Sequence, residues 1–269
     1  MRVRAIAVFE ALSAFDEAYL AEVNGGHKAD YVEREAFIRD LISKPVGSQA
    51  RRLEVVFVKC MNLLVDVFTS TPPSSSKFFS MTFVSHFEHS LMPEVVRFYL
   101  ENTSVKDWIT HSDLYTAILD LLRYMFEAGF GEGVLDVGLR RVDESQGLRK
   151  WLLVGEETMR WVRRVKDKKD ARGGEMSRGM LKGGAEGVVD AFSSTRKGEI
   201  LSSAVAAEVN DEDYAVMMGP LKSLIMGLEM HRTSLLEVLD KVTFMPTVEK
   251  LNVLCDGISQ LVLGQVLGI

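Results

Sequence analysis

The chain has 269 residues, of which 47% are hydrophobic, and a formal net charge of -6. A chain of this length and composition buries one large core or two small ones, which excludes disorder throughout. The negative net charge argues against a protein whose whole surface binds nucleic-acid phosphates. Any contact with nucleic acid would have to be local. Cys60 and Cys255 are the only cysteines, too few for a disulfide framework or a four-cysteine zinc site, so we expect a reducing intracellular compartment, cytoplasmic or nuclear.

Neither end of the chain resembles a membrane or export segment. Glu10, Asp16 and Glu17 interrupt the apolar residues near the N-terminus before a signal-peptide core can form. The most apolar stretch, residues 253–269, contains Asp256, Ser259 and two glutamines. We therefore expect no transmembrane span and no membrane partner.

Apolar residues at helical spacing predict three helices in the first quarter of the chain, over residues 5–23, 30–43 and 53–68. In the first helix Ser13 and Asp16 fall outside the apolar stripe, and in the second Arg34 does, so all three side chains are expected to point outward. The third segment is rich in β-branched residues, but its sixteen residues without a turn signal favour a mostly buried helix. Residues 69–76 predict an extended or flexible connection.

The middle of the chain predicts four more helices, over residues 79–90, 93–101, 112–127 and 144–165. Pro93 suits the first turn of its helix because its missing amide hydrogen is not needed there. Residues 112–127 give the clearest periodicity in the sequence, with Ser112 as the expected N-cap and Gly129 as the expected stop.

The amino-acid composition of the chain changes after residue 165. Residues 166–187 contain six glycines and few large apolar side chains, which predicts a linker. Helices are predicted beyond it over residues 188–209, 220–230, 233–243 and 247–267, with His231-Arg232 as one of the breaks. The predicted fold is all-α, a multi-helix array or irregular bundle with an armadillo- or HEAT-like stack as one form. The predicted domains are an N-terminal helical domain over 1–165, a basic glycine-rich linker over 166–187, and a C-terminal helical segment over 188–269 packed on the first.

No catalytic constellation emerges from the sequence. His86 and His89 share a helix face that can present two imidazoles to a metal, but no third ligand is identifiable and two ordinary helix histidines are the simpler interpretation. Cys60 and Cys255 lie among apolar residues, which predicts buried, unreactive thiols. The glycines of residues 129–133 and 183–184 lack the spacing of nucleotide-binding loops. No cofactor, metal or catalytic residue is predicted.

The strongest charge asymmetry lies in residues 160–182, where nine basic residues and three acidic ones give a local net charge of +6. Such a segment can bind RNA, DNA or an acidic partner, with Trp161 available for stacking. The alternative is a solvated basic helix end that runs into a linker. If the segment binds nucleic acid, the predicted binding residues are Arg160, Arg163, Arg164, Lys168 and Lys169.

Two stretches, His111–Arg123 and Asp213–Leu221, resemble a known family. They look like the helical region before the catalytic core of large ubiquitin-conjugating proteins related to the giant inhibitor-of-apoptosis conjugating enzyme. A conjugating core has a His-Pro-Asn element before its cysteine, and this chain has no such element. The resemblance therefore implies an accessory helical part or a degenerate relative that acts as a docking platform, and it assigns no functional residue.

The sequence as a whole favours a non-catalytic helical scaffold or adaptor that binds another protein through an exposed helix face or groove, with a link to ubiquitin conjugation. Its 13 methionines suit irregular apolar contacts, although methionine is also ordinary core filler. The alternative is a nucleic-acid-associated adaptor that uses residues 160–182. An enzyme whose site is assembled from distant helices is a third hypothesis.

Overall fold

The computed structural model describes residues 2–25, 29–44, 50–70, 77–130, 134–136, 138–162 and 217–267. The predicted linker over 166–187 and the predicted helix over 188–209 lie outside the described residues. Within the described part of the chain the fold is all-α, as predicted, with ten α-helices and five short strands. The division into domains and the armadillo- or HEAT-like stack stay predictions.

Six of the seven helices in the first half of the described chain follow the predicted segments closely, and the short helix α6 was not predicted. They are α1 (Arg2–Asn24), α2 (Tyr31–Ser43), α3 (Ala50–Thr69), α4 (Lys77–His89), α5 (Met92–Glu101), α6 (Val105–Thr110) and α7 (Ser112–Glu127). Asp30 caps α2, because its Oδ1 accepts from the amide of Glu33 at 2.8 Å while its own amide donates to Glu33 Oε2 at 3.2 Å. Gly129, with φ +81°, follows the end of α7 as predicted. The N-cap of α7 is His111, so the prediction of Ser112 was wrong by one residue, because α6 ends directly before it.

The remaining helices are α8 (Leu148–Val154), α9 (Leu221–Leu239) and α10 (Met245–Leu267). The predicted break at His231-Arg232 was wrong, since α9 continues through it without a glycine or proline to stop it. Arg232 pairs with Glu229 one turn earlier, and the hydroxyl of Thr233 donates to the carbonyl of Glu229 at 3.1 Å. Both contacts are of the kind that a continuous helix makes.

The single helix predicted over residues 144–165 is also wrong. The structure has β3 (Val142–Ser145), then α8, a 3-10 turn (Glu156–Thr158) and β4 (Met159–Trp161). Gly147 has φ +87° and Gly155 has φ +110°, which side chains rarely tolerate, so the backbone turns at both points. A Cβ at Gly147 would also lie 3.2 Å from Asp16 Cβ. Helical periodicity is present here, but the two glycines interrupt it.

The strands form two small antiparallel sheets. β1 (Ala29–Asp30) pairs with β3, which pairs with β4; Ala29 lies opposite Ser145, and Val142 opposite Trp161. The second sheet joins β2 (Gly138–Arg140) to β5 (Met217–Pro220), and so connects the segment before β3 to the start of α9. These pairings hold distant parts of the chain beside the helices.

Five long helices form a continuous packing series, in which α1 contacts α3, α3 contacts α7, α7 contacts α10, and α10 contacts α9. Phe15 packs on Phe57 and the Cys60 thiol reaches the Ala11 carbonyl, so α1 and α3 are antiparallel. Leu119 lies against Gly257 and Arg123 bonds Gln260, so α7 and α10 run parallel. The helix α5 is buried along most of its length, and it contacts α1, α2, α4 and α9.

Three polar side chains predicted to point outward are buried instead. Ser13, Asp16 and Arg34 are each 0% exposed. Asp16 accepts hydrogen bonds from the amides of Leu91 at 2.9 Å and Leu148 at 2.8 Å, at the starts of α5 and α8. Arg34 is described below with its partner Glu94. The predictions for Asp16 and Arg34 failed because their partners lie 60 or more residues away in the chain.

Candidate docking groove

The outward face of α7 carries a polar stripe. Asp113, Thr116, Asp120 and Arg123 recur at intervals of three or four residues, and none of them is buried. The opposite face packs into the core through Leu114, Ile118, Leu121 and Leu122. The stripe therefore lies along the surface between the two helices that flank α7.

Those flanking helices, α3 and α10, both run parallel to α7. Glu54 near the start of α3 meets His111 at the start of α7, and Asn62, two turns further along α3, shares a cavity with Asp120. The parallel course of α10 follows from its contacts at Leu119 and Arg123. Their side chains rise on either side of the α7 stripe, so α7 is the floor of a groove and α3 and α10 are its walls.

The groove consists of two cavities that merge, with volumes of about 570 Å3 and about 520 Å3. Both are lined by Val58, Asp113 and Lys250, which makes them one continuous depression. We call it the α7 groove. Its walls are Glu54, Val55, Val58, Lys59 and Asn62 from α3 and Pro246, Glu249, Lys250 and Val253 from α10; its floor is His111, Ser112, Asp113, Thr116 and Asp120, with Thr110, Leu114 and Ala117.

Two exposed valines lie on the two walls of the groove, one beside each cavity. Val55 on α3 is 48% exposed and Val253 on α10 is 50% exposed. Val58 lies between them at the junction of the two cavities. The groove therefore offers apolar contacts on its walls and polar ones along its floor.

The charges of the groove are only partly paired. Asp120 lies 3.5 Å from Arg123. Lys59, Asp113, Glu249 and Lys250 form no ion pair within the described residues. These four side chains are available to a ligand.

A buried ion pair closes one end of the groove. His111 Nδ1 lies 2.5 Å from Glu54 Oε1, His111 Nε2 lies 3.2 Å from the Ile42 carbonyl, and the imidazole is 0% exposed. Both ring nitrogens face acceptors, so the doubly protonated imidazolium fits this position best. Burial lowers the pKa of His111, but the Glu54 carboxylate and the Ile42 carbonyl outweigh it and hold the pKa above its ordinary value. With both nitrogens engaged, His111 joins α2, α3 and α7 and is not placed to act as a general base.

The basic residues predicted from the sequence do not meet in this groove. Arg160 lies on β4, where it pairs with Asp143 at 2.9 Å and Glu144 at 2.6 Å, so its charge is compensated. Arg163, Arg164, Lys168 and Lys169 lie outside the described residues.

Both histidines singled out in the sequence contact aromatic rings, His86 with Phe9 and His89 with Trp151. His89 stacks on Trp151 with ring centroids 3.9 Å apart, and its Nδ1 lies 2.7 Å from the Ser85 carbonyl. The described residues contain no cluster of histidine, cysteine, aspartate and glutamate suited to a metal. Cys60 and Cys255 are buried, as predicted, and burial raises the pKa of both thiols.

Sequence reasoning missed the groove because its walls come from segments almost 200 residues apart. The polar residues Glu54, Lys59 and Asn62 of α3 line the groove. The available signal was that Val55 and Val253 fall outside the buried stripes of their helices. An exposed valine on one helix does not reveal which other helix forms the opposite wall of the groove.

Comparisons with known proteins give no relative, since no family model, curated protein or solved structure matches the chain. In the described part of the chain, no helix combines the length and apolar character needed to cross a bilayer.

Proposed function

We propose that this protein is a non-catalytic helical adaptor that binds an amphipathic helical segment of another protein in the α7 groove. The observation that carries the proposal is the pair of half-exposed valines, Val55 and Val253, on opposite walls of one continuous depression. An amphipathic helix laid over the α7 stripe covers both valines with its apolar face.

The energetics suit a binding surface of modest strength. Full burial of a valine side chain is worth about 1.5 kcal/mol, so covering the exposed half of each wall valine contributes about 0.8 kcal/mol. Contacts to Val58 and to the unpaired charges of Lys59, Asp113, Glu249 and Lys250 add to this and supply selectivity. Such terms support a reversible contact.

The context that we propose for this adaptor is ubiquitin conjugation. The stretch His111–Arg123, which resembles the accessory helical region of large conjugating proteins, includes the floor of the α7 groove. A docking platform for a conjugation component is consistent with a groove at this place. Ubiquitin-pathway proteins are therefore the first partners to examine.

The test is a selection of helical peptides from a random display library on the intact chain. We expect selected peptides to carry apolar residues at spacings of three and four, and to lose binding to Val55→Asp and Val253→Asp. Leu263→Asp is the matched control, since Leu263 also lies on α10 and is 57% exposed outside the groove. Peptides that bind all three variants equally would contradict the proposal.

A second candidate rests on the net charge of +6 in residues 160–182. Because Arg160 is held by Asp143 and Glu144, nucleic-acid binding would depend on Arg163, Arg164, Lys168 and Lys169. Replacing those four with alanine should reduce RNA or DNA affinity and flatten its salt dependence, whereas Arg160→Ala should change little. Binding that does not vary with salt would exclude this candidate.

A further inference from the structure

The outer face of α9, the last helix of the packing series, is exposed to solvent. Its inner face packs into the core through Leu221, Ile225, Leu228 and Leu235. The opposite side, which we call the α9 face, consists of Met226, Gly227, Met230, Thr233, Ser234 and Glu237. Met226 is 52% exposed and Met230 is 79% exposed. Two large apolar side chains therefore lie in solvent on this face.

The hydroxyl groups of the α9 face already have partners within the helix. Thr233 Oγ1 donates to the Glu229 carbonyl at 3.1 Å, and Ser234 Oγ donates to the Met230 carbonyl at 3.2 Å. Covering the face therefore leaves neither hydroxyl without a hydrogen bond. Removing the two methionines from water would stabilise a complex, since methionine adapts its shape to an apolar neighbour.

Gly227 leaves a hollow in the same face. A Cβ at Gly227 would meet no atom within 4 Å, and this residue has no positive φ that requires a glycine. Glycine is also among the poorest helix formers. Contacts within the described residues therefore do not explain this glycine, whereas the close approach of a second molecule does.

The hollow and the methionine of one α9 face fit those of a second copy of the chain. Gly227 and Met230 are three residues apart on one side of the helix, so two antiparallel copies can place Met230 of each opposite Gly227 of the other. The same contact then forms twice about a twofold axis, with each bulky side chain against a small one.

The charges near the ends of α9 suit the same arrangement. Lys222 lies in the first turn and pairs with Asp136 at 2.7 Å, with 43% of its side chain exposed. Glu237 lies in the last turn and forms no ion pair within the described residues. When Met230 lies opposite Gly227, Lys222 of one copy is two residues' rise, or about 3 Å along the axis, from Glu237 of the other. An ammonium group has three donors and can bind both carboxylates, whereas parallel helices would bring like charges together.

From these features we infer that the protein forms a twofold-symmetric dimer in which the α9 faces of two copies pack antiparallel. The interface is one helix from each copy, which is small for a protein interface, so the dimer is reversible and forms as the concentration rises. The residues that line the α7 groove come from other elements, so both grooves stay open. The dimer is thus a bivalent adaptor. This last consequence rests on the proposed function, whereas the dimer itself does not.

Sedimentation equilibrium of the intact chain over a range of concentrations tests the dimer. We expect the wild type to associate reversibly, and Met230→Asp and Gly227→Leu each to weaken association by about tenfold or more. Gly227→Leu separates the hollow from a role in folding, because its side chain enters open space in the monomer and leucine is a better helix former. Its Tm at low concentration should therefore not fall. Val32→Asp on α2 is the control, since Val32 is 69% exposed outside the α9 face.

Charge exchange tests the antiparallel arrangement. Lys222→Glu and Glu237→Lys each place like charges together twice in a homodimer, so each should weaken association by about threefold to tenfold, and less at high salt. An equal mixture of the two variants pairs the new glutamate with the new lysine and keeps the other contact as in the wild type, so association should recover. Circular dichroism of each variant checks that it is folded.

A wild type that stays monomeric throughout its soluble range overturns the inference. So does a dimer that Met230→Asp and Gly227→Leu leave intact, because its interface lies elsewhere. A mixture of folded charge variants that fails to recover overturns the antiparallel pairing. Peptides selected on the α7 groove should bind Met230→Asp as they bind the wild type, so the dimer and the proposed function can fail independently.

Discussion

Two buried ion pairs join distant helices of this protein, and their surroundings differ. Arg34 and Glu94 form a two-pronged pair, Nε to Oε1 and Nη2 to Oε2, both at 2.9 Å, with side-chain exposures of 0% and 5%. His111 and Glu54 form a single contact at 2.5 Å, and Glu54 remains 13% exposed where it borders the α7 groove. The first pair is enclosed in the core, whereas the second lies at the edge of a surface.

The two ion pairs differ in the elements that they connect. Arg34 also donates to the carbonyls of Ala29 at 2.7 Å and Val142 at 2.8 Å, so one guanidinium connects α2, α5, β1 and β3. His111 connects three helices but leaves the groove open beside it. We therefore expect changes at Arg34 to affect folding alone, and changes at His111 to affect folding less and the groove as well.

The largest effect is expected for Arg34→Met. This change leaves the Glu94 carboxylate buried without its partner, which should lower the free energy of unfolding by about 3–5 kcal/mol in urea titrations. The double variant Arg34→Met, Glu94→Leu should recover only part of the loss, because the Ala29 and Val142 carbonyls also lose their donor. Arg39→Met is the control, since Arg39 pairs with Glu35 on the exposed face of the same helix. A loss below about 1 kcal/mol for Arg34→Met would show that the core pair is dispensable.

Asp16→Asn should have the next largest effect, because asparagine offers one acceptor where Leu91 and Leu148 need two. We expect a loss of about 1–3 kcal/mol in acidic solution. Burial raises the pKa of Asp16 to about 7, against 3.8 as its ordinary value, despite the two amide donors. The folded state thus binds the proton of Asp16 more tightly than the unfolded state does. The excess in unfolding free energy of the wild type over Asp16→Asn should therefore shrink as the pH rises from about 4 to about 7.

Urea titrations of both proteins at several pH values between about 4 and about 7 test whether the stability difference falls as the pH rises. If the advantage of the wild type grew with pH instead, the two amide donors would dominate over burial and Asp16 would be ionised in the folded protein.

His111→Gln should destabilise the protein by about 1–2 kcal/mol at pH 6, since it removes a charged hydrogen bond to Glu54. The pKa of His111 is raised above its ordinary value of 6.5, so this contribution is complete below about pH 6.5 and is lost as the pH rises through the higher folded value. The difference in unfolding free energy between wild type and His111→Gln should therefore narrow above about pH 6.5. A difference that stays constant up to pH 9 would mean that the imidazole is neutral in the folded protein.

Sequence periodicity predicted the long helices well because helix formation depends on near neighbours. The apolar positions of α7, such as Leu114, Ile118 and Leu122, are buried as expected. The same reasoning failed at Gly147 and Gly155, where backbone conformation and not hydrophobicity ends the helical pattern. Short strands such as β3 and β4 depend on partners that local spacing does not reveal.

The polar residues show a second limit of sequence reasoning. Asp16 and Arg34 looked solvent-facing because charged residues are rarely buried without partners, and their partners Leu148 and Glu94 are distant in the chain. The α7 groove was missed for the same reason, since Val55 and Val253 line one depression only after α3 and α10 have packed against α7. Only the expectation of an exposed helix face or groove was within reach of the sequence.

The smallest effect on folding is expected where the effect on binding is largest, at the groove valines. Val55→Asp and Val253→Asp should each change the free energy of unfolding by less than about 0.5 kcal/mol, because both side chains are half exposed and their substitutions leave the core intact. The same variants should lose the selected peptides, whereas Leu263→Asp should keep them at a similar stability. Circular dichroism with urea, alongside peptide titration, measures both properties on one sample. If Val55→Asp proved as destabilising as Arg34→Met, the groove wall would be part of the core, and the contrast between an enclosed structural pair and an open binding surface would fail.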